Sequence, residues 1–202
     1  MSPSFDLTTI FEKTIVEHME VINSLSPQLP VLTRIAMKLV STIEAGNKVL
    51  WCGNGGSAAD SQHLAAEFVG RFCRERSGLP SIALTTDSSV LTAVSNDYGY
   101  EQVFCRQVEA LCNRGDAVVG ISTSGNSKNV VLALEKANQL GAFTAAFTGE
   151  GGGALGEVAQ ETLSIASKNA ARIQEAHIVA GHILCDWVEL HACGLRAAKE
   201  SE

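Results

Sequence analysis

After Gly46-Asn47 the chain settles into a repeating alternation of short apolar runs, which end in glycine or hydroxyl residues, with stretches of helical period. The runs are Lys48 to Cys52, Ser81 to Leu84, Ala117 to Ile121, Phe143 to Phe147 and Thr162 to Ala166. Strands that are apolar on both faces belong in a parallel sheet covered by helices on either side. Five such units predict an α/β fold, a doubly wound three-layer sandwich on a five-stranded parallel sheet.

The flanking segments are helical in period. From Phe5 to Ala45, Ile10, Thr14, Met19, Ile22 and Leu25 form one interrupted apolar stripe. Ser26-Pro27 marks a restart, and Leu32, Ile35, Ala36, Leu39, Val40 and Ile43 form a second,. Ala170 to Ala198 lacks proline and reads as one long helix or two closely joined ones. There Ile173, Ala176, Ala180, Leu184 and Trp187 make an apolar stripe, with Glu175, His182, Asp186 and Glu189 along another face,. With 202 residues, no repeat and no long linker, the expected organisation is one domain over 1–202,. It divides into a helical pair at 1–46 and an α/β core with its long last helix at 47–202.

Charge narrows the partners. Fifteen Lys+Arg against 22 Asp+Glu leave a net charge of -7, and Arg71 to Arg76 is the one basic cluster, so nucleic acid is a poor fit,. The six cysteines, Cys52, Cys73, Cys105, Cys112, Cys185 and Cys193, form no CxxC pair and read as reduced, mostly buried thiols of a cytoplasmic protein,. Met1 to Thr9 lacks the basic-then-apolar pattern of a leader, and no run approaches the roughly 18 apolar residues of a membrane span,.

Ligands of open parallel sheets lie beyond the carboxyl ends of the strands. The first run leaves through Gly53-Asn54-Gly55-Gly56-Ser57-Ala58-Ala59-Asp60, where glycines admit a ligand to the backbone and a helix N-terminus offers free N–H groups,. This is either a phosphate or polyhydroxyl site or a plain tight turn with Ser57 as N-cap. The third run leaves through Ser122-Thr123-Ser124-Gly125-Asn126-Ser127, four hydroxyls before another helix. Without the Gly-Lys-Ser/Thr ending of a P-loop or the full GxGxxG of a dinucleotide site, it suits a sugar phosphate. Asn96 and Asp97 are turn formers or acceptors for sugar hydroxyls,. Thr148 to Gly153 reads as a plain mobile turn.

His63 and Glu67 are four apart on one helix and so share a face, as metal ligands, as a carboxylate placed for proton abstraction, or as an ordinary solvated pair,. Gln174 and His182 are eight apart on the last helix, about two turns, on roughly one side,. His182 fits a surface histidine equally well.

Together these motifs resemble the sugar isomerase (SIS) fold, a flavodoxin-like sandwich, and within it the phosphoheptose isomerases. The resemblance rests on Cys52 to Asp60, Ala65 to Phe72, Ala83 to Asp87, Ser95 to Gly99, Gly120 to Ser127 and Ala171 to Glu175, and spans nearly the whole chain. It implies a cytoplasmic homotetramer, with sites at subunit interfaces, that converts sedoheptulose 7-phosphate to D-glycero-D-manno-heptose 7-phosphate on the way to the ADP-heptose of lipopolysaccharide. It implies one Zn2+ per subunit on His63, Glu67, Gln174 and His182, with Glu67 and His182 as the acid/base pair. The substrate set it implies is Asn54, Gly55, Gly56, Ser57, Glu67, Asn96, Asp97, Ser122, Thr123, Ser124, Ser127 and Gln174. One departure is Ala170, where relatives often carry a hydroxyl residue.

The chemistry agrees with the resemblance. Ketose–aldose interconversion moves a proton between neighbouring carbons through an enediol, work for a carboxylate and an imidazole worth roughly 10² to 10⁴ each in rate. A zinc ion would polarise the oxygens, and the serine-rich turn would fix the far phosphate. Two other readings share the fold. One is a noncatalytic SIS adaptor resembling the replication-initiator-associating protein, which lacks counterparts of Glu67 and His182. The other is the sensor domain of a regulator, which would need a basic DNA-binding module ahead of the sheet.

Overall fold

The structure, a computed structural model, describes residues 6–194. The five apolar runs form β1 (Val49–Gly53), β2 (Ser81–Ala83), β3 (Ala117–Ser122), β4 (Phe143–Thr148) and β5 (Glu161–Ser164). All are parallel, in the spatial order β2-β1-β3-β4-β5. The order reverses between β1 and β3, where Gly53, the last residue of β1, pairs with Ile121, the last but one of β3, so the two ligand-friendly turns emerge side by side,.

The helices are α1 (Leu7–Asn23), α2 (Leu29–Glu44), α3 (Gly56–Val69), α4 (Ser88–Tyr98), α5 (Val103–Leu111), α6 (Lys128–Leu140), α7 (Gly153–Val158) and α8 (Ala170–Ala192). Successive strand residues point to opposite faces. Val49, Trp51, Val119 and Ile121 pack with Ile35 and Leu39 of α2, with Leu64 and Phe68 of α3, and with Ala176, Ala180 and Leu184 of α8. Leu50, Cys52 and Val118 pack with Phe104 and Val108 of α5, Val130 and Leu134 of α6, and Leu155 of α7. Apolar burial on both sides is what the unalternating runs require.

Three expectations change. In α1, Ile10 and Met19 of the expected stripe are exposed, as are Leu7, Phe11, Ile15 and Val16, while Val21 and the following Leu25 are buried. The helix is held at its polar positions instead. His18 Nδ1 lies 2.7 Å from Glu175 Oε2, Arg172 Nη1 donates to the Thr14 carbonyl at 3.2 Å, and Arg172 pairs with Glu175. Half of the thiols, Cys52, Cys112 and Cys185, are buried, rather than most; burial pushes Cys52 up to about 12 and Cys112 to about 11. Glu189, expected on a polar face, is fully buried.

α8 begins at Ala170, and Asn169 Oδ1 accepts the Ala171 N–H at 3.1 Å, so the cap is supplied one residue ahead of Ala170,. The helix is continuous to Ala192; positions 195–198 of the expected helix, and Phe5 of the first, lie outside the described residues.

Candidate functional site

Two groups of side chains stand out, one at the carboxyl ends of the central strands and one further along α3 and α8. The first is a small polar cavity of about 130 Å³, lined by Asn54, Ser57, Ile121, Ser122, Thr123, Ser127 and Gln174. Ser122 Oγ lies 2.9 Å from Ser127 Oγ and 3.4 Å from Ser124 Oγ. Ser127 is the N-cap of α6 but makes no side-chain cap bond, because its hydroxyl turns towards Ser122 instead. A helix N-terminus with its cap hydroxyl turned aside is suited to an anion.

The β1 turn supplies the opposite wall. Gly55, not Ser57, is the N-cap of α3, with φ +56, a conformation that only glycine adopts without strain,. Ser57 lies inside the helix and is buried. The Gln174 amide packs on Gly56 so closely that a Cβ there would lie 2.4 Å from Gln174 Nε2. Asn54 exchanges two 2.9 Å hydrogen bonds with the buried amide of Asn129, and Tyr100 Oη donates to Asn54 Oδ1 at 3.0 Å. The sequence does not single out Asn129 or Tyr100, since an Asn in the first turn of a helix is common.

The turn after β4 is not a loose connection. Gly149 N–H donates to the Thr123 carbonyl at 3.1 Å, Leu155 N–H to the Gly125 carbonyl at 2.8 Å, and Ala154 N–H to Asn126 Oδ1 at 3.1 Å. It buttresses the hydroxyl turn from behind. Asn96 and Asp97 form the exposed end of α4, where Asn96 Nδ2 donates to Asp97 Oδ1 at 2.8 Å, and they are not among the lining residues of the cavity.

The second group joins α3 to α8. One ligand atom each of His63, Glu67 and His182 lie within 4.8 Å of one another. His63 Nε2 is 2.9 Å from His182 Nε2 and 3.3 Å from Glu67 Oε1. The two helices run alongside each other, with Leu64 against Gly181. Burial, then the neighbouring His63, hold the His182 imidazole below the usual histidine range, and Glu67 opposes them. Phe72 covers His182, with ring centroids 5.3 Å apart. Asp60, one turn before His63, is half-buried with Oδ2 unpartnered among the described residues; burial raises it to about 6, against the pull of His63.

The four residues expected around one metal ion are divided within the chain. His63, Glu67 and His182 come together, whereas Gln174 lines the hydroxyl cavity, about 12 Å of helix rise from His182,. Two imidazole nitrogens and a carboxylate oxygen are nevertheless a donor set that fits zinc, with a coordination position left for another ligand. A larger cleft of mixed lining, about 430 Å³ with Lys38, Asn47, Phe143 and Gln160 on its walls, lies at the opposite ends of the strands, where parallel sheets do not place their ligands,.

Comparison with known proteins gives a consistent result. The SIS domain family profile matches residues 11–149. A phosphoheptose isomerase of Aquifex aeolicus is 57% identical over 159 residues, 79% of this chain and 83% of that protein. One of Trichlorobacter lovleyi is 47% identical over 194 residues, 96% of this chain and 99% of that protein. Among solved structures, a phosphoheptose isomerase from Francisella tularensis superimposes with a TM-score of 0.82 at 40% identity, covering 91% of this chain and 96% of that one.

Proposed function

Because the chain belongs to the SIS domain family and, within it, to the phosphoheptose isomerases, it is an aldose–ketose isomerase, and we propose that Glu67 and His182 move its protons. The substrate is sedoheptulose 7-phosphate and the product D-glycero-D-manno-heptose 7-phosphate. The observation that carries the assignment of roles is the convergence of a carboxylate and an imidazole from two paired helices.

The phosphate enters the Ser122–Ser127 turn, held by hydroxyls and by the N-terminus of α6. That anchor fixes the far end of the sugar, and because Gln174 on its wall stands about 12 Å of helix rise from His182, the Glu67 and His182 that receive the first two carbons belong to a neighbouring subunit. One of the pair takes a proton from C1 as the C2 carbonyl oxygen gains one, which gives the enediol. A proton is then delivered to C2 while the C1 hydroxyl loses its own, and the C1 carbonyl forms. Burial, to which the Phe72 ring contributes, and the neighbouring His63 lower the proton affinity of the imidazole, which favours its neutral form, the form that takes a proton,. Supplied with sedoheptulose 7-phosphate, the protein should yield an aldose phosphate visible by NMR; no turnover would leave the adaptor reading, which Glu67 and His182 argue against.

His63, Glu67 and His182 would hold one zinc ion per subunit, which when bound supplies electrophilic polarisation of the sugar oxygens. Chelation with verified metal removal should lower kcat at least about tenfold, and Zn2+ should restore it. Full activity in the metal-free protein would leave these side chains as direct substrate contacts only.

The exposed apolar face of α1 supports assembly into a homotetramer, with Phe11 62% and Ile15 62% exposed,. The double variant Phe11→Glu, Ile15→Glu should dissociate in sedimentation or light scattering; an unchanged mass would exclude α1 from the interface. A partner's Gln174 would then be free to approach another subunit's three ligands. The six unpaired cysteines suit a reducing cytoplasm, and the product suits heptose supply to lipopolysaccharide, testable by sugar analysis of a deletion strain,.

A further inference from the structure

We propose that Glu189 is a positioning residue for the isomerisation, acting from the interior to fix where His182 and Glu67 stand relative to each other; the proposal rests on the acid/base roles given above. Glu189 is fully buried near the end of α8, seven residues and two turns beyond His182. Its carboxylate accepts three consecutive backbone N–H groups, those of Phe72, Cys73 and Arg74, each at 2.8 Å. Such convergent N–H groups normally make a concavity for an external anion. Here α8 supplies the anion, and the segment after α3 folds around it. Burial works to raise this carboxyl, but the N–H groups and Arg76 outweigh it and hold it below the ordinary range.

Two connections run from that carboxylate to the reacting groups. The first is Phe72, whose backbone Glu189 holds and whose ring packs on the His182 imidazole. The second is Arg76, whose side chain is 5% exposed and whose Nε faces Glu189 Oε1 at 3.3 Å. Arg76 Nη2 donates to the carbonyl of Glu67 itself at 2.8 Å, and Nη1 donates to the carbonyls of Phe68 and Gly70 at 2.8 and 3.1 Å. The guanidinium thus closes the C-terminal end of α3, the helix that carries His63 and Glu67. One buried carboxylate ties the backbone of the glutamate to α8 and sets the wall of the histidine. Charge-assisted bonds in a dry setting are stiff enough for this, and reacting groups displaced by about 1 Å can cost about a hundredfold in rate.

Steady-state kinetics with sedoheptulose 7-phosphate test this in Glu189→Gln, Glu189→Asp and Phe72→Leu. Gln keeps the shape but sets an NH2 group against N–H donors and leaves Arg76 without its charge. The expected result is a kcat at least about tenfold lower with KM within about threefold of the parent, because the hydroxyl cavity shares no residue with this segment,. Phe72→Leu should show the same pattern, and Glu189→Asp should recover part of the lost kcat. A parental kcat in Glu189→Gln overturns the proposal, as does a parental kcat in Phe72→Leu should the first variant not fold. A loss carried wholly by KM overturns it too. If Glu67→Gln retains turnover, the acid/base reading has failed; if Glu67→Gln is inactive and Glu189→Gln is not, only the positioning role has.

Discussion

Glu67→Gln is expected to fold like the parent and to lose at least about two orders of magnitude in kcat, with a smaller change in KM. The substitution is nearly isosteric, and the side chain is 23% exposed, so neither a cavity nor an overpacked contact is made. What disappears is the ability to hold a proton: an amide oxygen 3.3 Å from His63 Nε2 would still accept a hydrogen bond but would not take up the proton of a C–H bond. Thermal unfolding measured alongside the kinetics separates the two effects. Parental turnover in a folded variant would remove Glu67 from the chemistry and leave it a ligand or contact residue.

The largest effect on stability is expected at Gly125, in the hydroxyl turn. Its φ is +67, and a Cβ would stand 2.1 Å from the Gly152 carbonyl oxygen, which is main chain and cannot swing aside. The left-handed conformation costs an L-residue about 1–2 kcal/mol, and overpacking about 1–3 kcal/mol more. Gly125→Ala should therefore be destabilised by about 2–5 kcal/mol, a fall of about 4–20 °C in Tm for a chain of this size. KM should rise with it, because relief of the clash moves the turn that carries Ser122, Ser124 and Ser127. Gly151→Ala is the control: its φ is +84, but nothing lies within 4 Å of the added carbon, so only the conformational part applies. Equal losses in the two variants would refute the packing argument.

The sheet was legible because runs such as Val49 to Gly53 are apolar at every position, a pattern that only burial on both faces explains,. The hydroxyl turn was legible because its composition is unusual at a strand end. The pairing of His63 with Glu67 followed from helical spacing, whereas their meeting with His182 depends on how α3 and α8 pack, and was reached by resemblance alone. Gln174 and His182 show the limit of periodicity: eight residues return to the same side of a helix but not to the same place along it. Glu189 shows another, since its burial is created by three N–H groups of residues 72–74, far away in sequence. The exposed face of α1 shows a third: an apolar stripe marks a helix face, but not whether the chain's own core covers it.

The cavity proposed for the phosphate contains no lysine or arginine among the described residues, only hydroxyls, amides and one isoleucine. Attraction there comes from short-range dipoles rather than from full charges, and mobile ions screen such contacts weakly. At long range the chain, with its net charge of -7, repels a dianionic sugar,. Added potassium chloride would weaken that repulsion while leaving the grip intact. Capture of substrate should therefore hold steady or improve slightly as ionic strength rises, the reverse of the behaviour of a phosphate pocket built on cations.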